Sequence, residues 1–286
     1  MKTAIVVNLS KENAIYCAKQ IVKLLRLNGA EICMLSECKP FYSDKKIVFS
    51  DTIEELFLQC DVAITVGGDG TIIHAAKYAA PCKKPIIGVN VGRLGFAADV
   101  EADEIGQLTR LLSGDYYSEM RMLLDIAVVK NNKSKHYLAV NDAVMAHGQL
   151  SKIVDFQLSL DDEIISKYRA DGLLFSTPTG STAYSLSAGG PILAPQMECI
   201  LMTPVCPHSL FSRSVLFDGK SELSVMVKIP LGCSCVLTID GEENINICDS
   251  DKVIIRKSSQ RLELLSIHKR NFYKRLNEKL KEREFY

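Results

Sequence analysis

Short apolar strands alternate with helical segments through the first 115 residues of the chain. Residues 3–8, 31–35, 61–66 and 85–89 are predominantly apolar runs, whereas residues 11–28 carry apolar side chains at helical spacing. Strands that alternate with helices are typical of a parallel sheet covered by helices. We therefore predict an α/β domain over residues 1–115, with a further helix at 101–113.

The pattern changes near residue 116, where short strand-like runs follow one another without intervening helices. Residues 123–130, 137–146, 153–160 and 235–239 are examples, and pairs such as Asp161-Asp162 supply tight turns. This pattern predicts a mostly antiparallel, β-sandwich-like domain over residues 116–258. Residues 259–286 are predicted as a C-terminal tail with a short helix.

Composition narrows the classes of function. Lys plus Arg equals Asp plus Glu at 34 each, so the zero net charge disfavours a broad nucleic-acid surface. No apolar run approaches the length of a membrane span, and the apolar run after Met1 is too short for a signal peptide. The ten cysteines form no CxxC pair. We therefore expect a cytoplasmic protein with reduced thiols and without metal-ligating residues.

The segment Gly67-Gly-Asp-Gly-Thr71 follows a buried strand and precedes a predicted helix. Its glycines let backbone N–H groups approach a ligand closely, and the start of the helix favours a phosphate. A carboxylate beside phosphates is costly unless it holds a metal or takes part in a proton transfer. Asp69 is therefore predicted as a catalytic base or as a group that positions an attacking hydroxyl. The alternative is a tight turn in which Asp69 only caps the helix.

A second polar loop, Thr179-Gly-Ser-Thr182, ends a segment that begins at Asp171 and passes through an apolar strand. Its three hydroxyl groups suit a sugar or a phosphate, although one of them would be enough to cap a helix. Asp171 could hold a ribose or a metal, or form a salt bridge with Arg169. The pair Asn141-Asp142 could bind an adenine edge or a ribose diol, although such a pair is more often a turn.

The two Gly-rich loops together predict a nucleotide site built from both halves of the sequence. Phe96 and Tyr184 are candidates for stacking on a base, with ordinary core packing as the alternative.

In combination, these motifs resemble those of the NAD kinase family, in order and over most of the chain. Any one of the matching segments is weak alone, but seven in the right order leave little room for coincidence. They are Gly67-Gly-Asp-Gly-Thr71, Gly88-Val-Asn-Val-Gly-Arg-Leu-Gly-Phe96, Arg121-Met-Leu-Leu124, Asn141-Asp142, residues 171–191, residues 203–213 and Thr238-Ile-Asp-Gly241.

The resemblance implies phosphorylation of the adenosine 2′-hydroxyl of NAD by ATP, giving NADP, with Mg²⁺ or another divalent cation as cofactor. It implies NAD and ATP as partners and a homo-oligomer, either a dimer or a tetramer. By matching position, Asp69 is the expected base. The substrate-binding residues that it implies are Gly68, Gly70, Thr71, Phe96, Asn141, Asp142, Asp171, Thr179, Thr182, Ala183, Tyr184 and Ser187.

Two positions depart from the family pattern. Ala97 stands where a larger apolar residue is common, and Asp142 replaces the commoner glutamate, which shortens its reach by one methylene. Two alternatives are a lipid or sugar kinase with a related loop, and a non-catalytic sensor that binds NAD(H). The run Thr177-Pro-Thr-Gly-Ser-Thr-Ala-Tyr184 disfavours the first, and the presence of Asp69 disfavours the second.

Overall fold

The computed structural model describes residues 1–42, 44, 46–92, 95–148, 153–209, 212–231, 233–269 and 271–283. The chain forms two compact units: unit 1 comprises Met1–Arg121 and Gln260–Tyr286, and unit 2 comprises Met122–Ser259. The C-terminal residues therefore belong to the same unit as the N-terminal residues. None of the helices within these ranges has the length and apolar character needed to cross a membrane.

Unit 1 contains a parallel sheet and its covering helices. Its strands are β1 (Lys2–Val7), β2 (Glu31–Leu35), β3 (Val48–Ser50), β4 (Val62–Gly67), β5 (Ile86–Asn90) and β6 (Val100–Glu101). Its helices before residue 116 are α1 (Glu12–Leu27), α2 (Ile53–Gln59), α3 (Asp69–Ala79) and α4 (Arg110–Ser113), with 3₁₀ turns at Ser36–Phe41 and Ile105–Thr109.

The sheet of unit 1 has the order β5-β4-β1-β2-β3, with all neighbours parallel. Helix α1 buries Ala14, Ala18, Ile21 and Leu25, a stripe at helical spacing, and these residues join the apolar core that includes β1 and β4. The predicted α/β class is confirmed. The helix predicted at 101–113 is wrong in part, because this stretch contains β6, a 3₁₀ turn and only one α-helical turn.

Unit 2 consists almost entirely of strands. The elements from residue 117 onwards are β7 (Tyr117–Lys130), β8 (Lys133–Ala139), β9 (Asp142–His147), β10 (Val154–Leu160), β11 (Glu163–Ala170), β12 (Gly172–Ser176), α5 (Tyr184–Ser187), β13 (Cys199–Val205), β14 (Val215–Asp218), β15 (Leu223–Lys228), β16 (Cys235–Ile239), β17 (Glu243–Ile247), β18 (Lys252–Ser266) and α6 (Phe272–Arg283). Strand β18 continues from unit 2 into unit 1, and α6 belongs to unit 1.

The strands of unit 2 form two layers. One has the order β11-β10-β15-β18-β7-β8, and the other, which is antiparallel throughout, has the order β14-β13-β12-β9-β16-β17. Alternate residues of β7, Met122 to Val128, point into one core with residues such as Phe156 and Phe175. The predicted β-sandwich-like class is confirmed.

The single strand predicted at 137–146 is wrong. The structure has β8 and β9 there, in different layers, with a break at Val140 and Asn141. The carboxylate of Asp240 accepts hydrogen bonds from the backbone N–H groups of Val140, Asn141 and Asp142 at 2.7–3.0 Å. At this break the Asp240 carboxylate bonds these backbone N–H groups in place of a neighbouring strand. The chain can therefore pass from one layer to the other without leaving these donors unbonded.

Candidate active site

The loops that follow β1, β4 and β5 meet at the carboxyl edge of the parallel sheet in unit 1. The N–H of Asn8 donates to the carbonyl of Val66 at 3.0 Å, and the N–H of Val91 donates to that of Gly67 at 2.9 Å. In open α/β sheets, ligands bind outside the carboxyl ends of the strands. This edge is therefore the candidate site of unit 1.

Asp69 is the first residue of α3, and its side chain reaches the backbone turn between β5 and β6. Its Oδ2 accepts the N–H of Phe96 at 2.7 Å, and its Oδ1 accepts those of Ala97 at 3.0 Å and Ala98 at 3.3 Å. A carboxylate has about four lone-pair sites. Three of them are engaged by one backbone turn, which fixes the orientation of the carboxylate.

Gly95 completes the enclosure of Asp69. A Cβ added at Gly95 would lie 2.0 Å from Oδ1 and 2.6 Å from Cγ of Asp69. Space alone therefore requires glycine here. We call residues 95–98 the Asp69 cage.

The other residues predicted in this loop lie around Asp69. Gly68 precedes α3 and is half-buried, while Gly70 is exposed and would have open space around an added Cβ. A Cβ at Gly67 would lie 2.1 Å from Oγ1 of Thr71, so the hydroxyl of Thr71 turns back onto the loop. Phe96 is half-buried, and its ring centroid lies 6.5 Å from that of Phe272. The structure brings these residues together within unit 1.

Two residues at this edge were missed in the sequence analysis. The Nζ of Lys11 lies 3.3 Å from a Cβ built at Gly92 and 4.0 Å from one built at Gly68, which places a cation beside the loops that follow β4 and β5. Asn90 is buried, and its side chain bonds both the N–H and the carbonyl of Gly92 and the carboxylate of Glu101. A lysine in the loop between β1 and α1 and an asparagine at the end of β5 were the available signals, because parallel strands end at one edge.

In unit 2, Asn141 and Asp142 lie at the break between β8 and β9, where Asp240 binds their N–H groups. Asp142 is 5% exposed, and burial together with the charge of Asp240 raises the pKa of its carboxyl group to about 7. Near neutral pH its protonated form can donate a hydrogen bond, whereas its ionised form can only accept. The Asp142 side chain can therefore either donate a hydrogen bond to a hydroxyl group or accept one from it.

The Thr179-Gly-Ser-Thr182 loop packs against Asn141. A Cβ at Gly180 would lie 2.1 Å from the carbonyl oxygen of Asn141, and the N–H of Thr177 donates to this same oxygen at 2.9 Å. A short 3₁₀ turn spans Gly180–Thr182, and the side chain of Thr177 accepts the N–H of Gly180 at 3.0 Å. The structure thus brings Asn141, Asp142 and this loop together.

The hydroxyl groups of this loop differ in their partners. Ser181 Oγ donates to the carbonyl of Pro178 and accepts the N–H of Leu193, and Thr182 donates to the carbonyl of Thr179 at 3.3 Å. Thr179 Oγ1 is buried and has no hydrogen-bond partner within the described ranges. Because buried hydroxyls are normally bonded, the hydrogen-bonding capacity of Thr179 is unused among the residues that the structure describes.

Asp171 lies apart from this group. Strand β12 pairs Gly172 with Ala146 and Ser176 with Asp142, so Asp171 stands at the opposite end of the strand from Asp142. At ~3.3 Å per residue, five residues span roughly 17 Å. The proposed salt bridge of Asp171 to Arg169 does not form: Arg169 approaches Asp155 at 3.6 Å, and Asp171 lies 3.8 Å from His147 Nε2.

The remaining predicted residues follow the loop along the chain. Ala183 is half-buried, and Tyr184 and Ser187 are exposed on the short helix α5. The 47% exposure of Tyr184 shows that it is not a core residue of unit 2. A ring with this exposure is accessible to a ligand.

Metal-ligating clusters are absent from the described residues, since no three His, Cys, Asp or Glu side chains converge there. All ten cysteines are free, and six of them are buried. Burial raises the pKa of the Cys60 and Cys235 thiols to about 12, so these two are inert packing residues.

Comparison with known proteins matches both halves of the chain. Residues 3–116 match the model of the ATP-NAD kinase N-terminal domain, and residues 140–267 match that of the ATP-NAD kinase C-terminal domain. The NAD kinase of Chlorobium phaeovibrioides is 37% identical over 281 residues, covering 98% of each chain. The NAD kinase of Natranaerobius thermophilus is 34% identical over 276 residues, covering 96% of this chain and 95% of the relative.

Solved structures agree with the fold. Yeast NADH kinase complexed with NADH superposes with a TM-score of 0.88 at 23% identity, over 98% of this chain and 87% of the other. An NAD kinase from Archaeoglobus fulgidus in complex with ATP gives a TM-score of 0.77 at 22% identity, over 98% and 99%. At these identities the likeness establishes the architecture of the chain.

Proposed function

The chain belongs to the ATP-NAD kinase family, and we propose that it transfers the terminal phosphoryl group of ATP to the adenosine 2′-hydroxyl of NAD, giving NADP and ADP. The observation that carries this proposal is the Asp69 cage at the carboxyl edge of the parallel sheet. In it, three N–H groups and a glycine hold one carboxylate in a fixed orientation.

The proposed reaction forms a bond between the 2′-oxygen and the γ-phosphorus, and breaks the bond between that phosphorus and the ADP oxygen. The 2′-hydroxyl loses its proton as this happens, and we assign the proton to Asp69. The three N–H groups of the cage hold this carboxylate in one orientation, which suits it to align the hydroxyl and to take its proton. Phosphoryl transfer relies mainly on such positioning and on charge neutralisation.

Charge neutralisation in this proposal comes from three sources. Gly68 and Gly70 offer backbone N–H groups at the start of α3, where the helix favours phosphate oxygens. The N–H of Thr71 is bonded to the carbonyl of Gly68 at 3.0 Å, so Thr71 is proposed to contribute its hydroxyl instead. Lys11 offers a cation beside Gly68 and Gly92, in the loops that follow β4 and β5. A divalent cation, Mg²⁺ or another, is proposed to arrive with ATP as part of that substrate and to neutralise its phosphates.

Recognition of NAD is proposed for residues in both units. The aromatic ring of Phe96 in unit 1 is proposed to line the NAD pocket. In unit 2, Asn141 and Asp142 are proposed to bind ribose and nicotinamide-side groups, and the unpartnered hydroxyl of Thr179 is proposed to bind a polar NAD atom. Further contacts to adenine, ribose or carboxamide atoms are proposed for Asp171, Thr182, Ala183, Tyr184 and Ser187.

The direct test is to incubate the purified protein with ATP, Mg²⁺ and NAD and to measure product with an NADP-specific dehydrogenase. Diacylglycerol and fructose 6-phosphate serve as competing acceptors in parallel reactions. We expect NADP and no phosphorylation of the other two. Phosphorylated lipid or sugar would identify a different kinase, and NAD binding without ATP consumption would identify a sensor.

Two further proposals concern the state of the protein in the cell. Location in the cytoplasm is proposed because ten free cysteines suit a reducing compartment. Assembly into a dimer or a tetramer is proposed from the family resemblance, and light scattering of the purified protein tests it.

A further inference from the structure

The backbone of the Asp69 cage is held on its other side by the C-terminal segment of unit 1. Asp99 directly follows the cage and is 7% exposed. Its carboxylate accepts the hydroxyl of Ser266 at 2.6 Å and the N–H of Ile267 at 2.7 Å. The last residues of β18 are therefore bonded to the chain immediately after the cage.

Helix α6 follows this attachment and contacts the cage itself. The Nε–H of Arg275 donates to the carbonyl of Gly95 at 3.0 Å. The ring of Phe272 lies 6.5 Å from that of Phe96, centroid to centroid, at 40°. This separation is within the range of favourable aromatic pairs.

The start of α6 is built so that these two side chains face the same way. Phe272 and Arg275 are three positions apart, and residues at this spacing lie on one face of a helix. The side chain of Asn271 accepts the N–H of Lys274 at 3.1 Å, which is the bond of an N-cap residue. The cap fixes where the helix begins and so fixes which face meets the cage.

We propose that α6 is a positioning element of the phosphoryl-transfer reaction, and that Arg275 and Phe272 hold Gly95 and Phe96 where they orient Asp69. The inference rests on the proposed function of Asp69. Gly95 lies directly against the carboxylate, and the N–H of Phe96 donates to it at 2.7 Å. A movement of either residue therefore moves or releases the carboxylate.

If α6 positions Asp69, substitutions on α6 should change kcat without changing the binding of ATP. Arg275 and Phe272 act on the cage rather than on ATP, so their removal lowers kcat and leaves the KM for ATP near its original value. A displacement of about 1 Å at a catalytic group can cost about 10²-fold in rate. A partial loss of support is expected to lower kcat by about 10-fold to 10²-fold.

The test compares Arg275→Met with Lys274→Met, a matched control that removes one positive charge from the adjacent, exposed position of the same helix. Phe272→Leu is a second variant that removes the ring and keeps an apolar side chain. Steady-state kinetics should show the fall in kcat for Arg275→Met and Phe272→Leu, and none for Lys274→Met. Arg275→Lys should recover part of the loss, because its ammonium can still donate to a carbonyl.

Each substitution is then repeated in an Asp69→Asn background with a sensitive cycling assay for NADP. If α6 acts by orienting the carboxylate, Arg275→Met has no further effect once that carboxylate is gone. An equal fall in both backgrounds would show a loss of folded enzyme and would overturn the inference. Wild-type kcat in Arg275→Met and Phe272→Leu would also overturn it, whereas a wild-type protein that forms no NADP would overturn the proposed function itself.

Discussion

Replacing Gly95 by alanine perturbs the Asp69 cage without removing any functional group. The new methyl carbon would stand 2.0 Å from Asp69 Oδ1 and 2.9 Å from Oδ2, and separations under 3.0 Å are essentially not found in proteins. The carboxylate must therefore retreat by about 1 Å or more. A displacement of this size at a reacting group costs about 10²-fold in rate, so we predict that kcat falls by about two orders of magnitude.

The assay is NADP formation at saturating ATP and NAD, with thermal unfolding measured on the same samples. Gly106→Ala is the matched control, because an added Cβ at Gly106 meets nothing within 4 Å and the residue has no positive φ. We expect Gly106→Ala to keep the wild-type kcat and Gly95→Ala to lose it while remaining folded.

Wild-type kcat in folded Gly95→Ala would refute the reasoning, since the carboxylate could then act from a displaced position. The double variant with Asp69→Asn provides a second check. Two substitutions that act through one carboxylate should combine to no more than the effect of the more severe one. A multiplicative loss would show that Gly95 acts by another route.

Three further predictions concern single residues. Lys11→Met should raise the KM for ATP about 10-fold and leave the KM for NAD unchanged, because a hydrogen bond to a charged group contributes about 1.5–3 kcal/mol. An unchanged KM for ATP in steady-state kinetics would contradict the role of Lys11. Gly180→Ala should lower the free energy of unfolding by about 1–3 kcal/mol, because its Cβ would strike the Asn141 carbonyl at 2.1 Å; an unchanged denaturation midpoint would contradict this. Asp142→Asn should gain stability relative to wild type as pH rises from 5 to 8. The pKa of Asp142 is raised from its ordinary value to about 7 in the folded protein. Between these two pKa values the unfolded state ionises more readily than the folded state, so the free energy of unfolding of the wild type falls as the pH rises, by up to about 3 kcal/mol above pH 5. A pH-independent difference in denaturation would contradict it.

Much of the fold of unit 1 was predictable because its elements are local. The apolar runs that became β1, β4 and β5 are continuous and buried, and the glycine after α1 adopts a positive φ of 85°. The Gly-rich loop after β4 was predicted for the same reason. Its glycines mark close approach of the backbone, and one of them, Gly67, has no room for a side chain.

The errors arose where distant residues decide the local structure. The break between β8 and β9 is stabilised by Asp240, about a hundred positions away in sequence. Strand β13 was not predicted, and Pro204 lies within it. Among the described residues, Pro204 pairs with Leu173 of β12 and lies beyond the end of the pairing with β14. Proline is tolerated where a strand has one neighbour.

The candidate site could be predicted only by residue type. Asp69 was predicted because a carboxylate beside phosphates is unfavourable unless it binds a metal or takes part in a proton transfer. The three backbone N–H groups that hold it lie almost thirty positions downstream and could not be predicted. The contacts of α6 with the cage are more distant still, since Arg275 and Gly95 are 180 positions apart. The sequence pattern of a basic C-terminal helix does not show which distant residues it contacts.

The most direct measurement is the turnover of Asp69→Asn, which cannot accept a proton at this position, compared with its affinity for NAD. NADP formation is followed at saturating ATP, Mg²⁺ and NAD, and NAD binding is measured by calorimetry on the same preparation. We predict that turnover falls by about 10²–10⁴-fold, the usual contribution of a positioned base, while NAD affinity stays within a few-fold of wild type. Undiminished NADP formation by the variant would contradict the account.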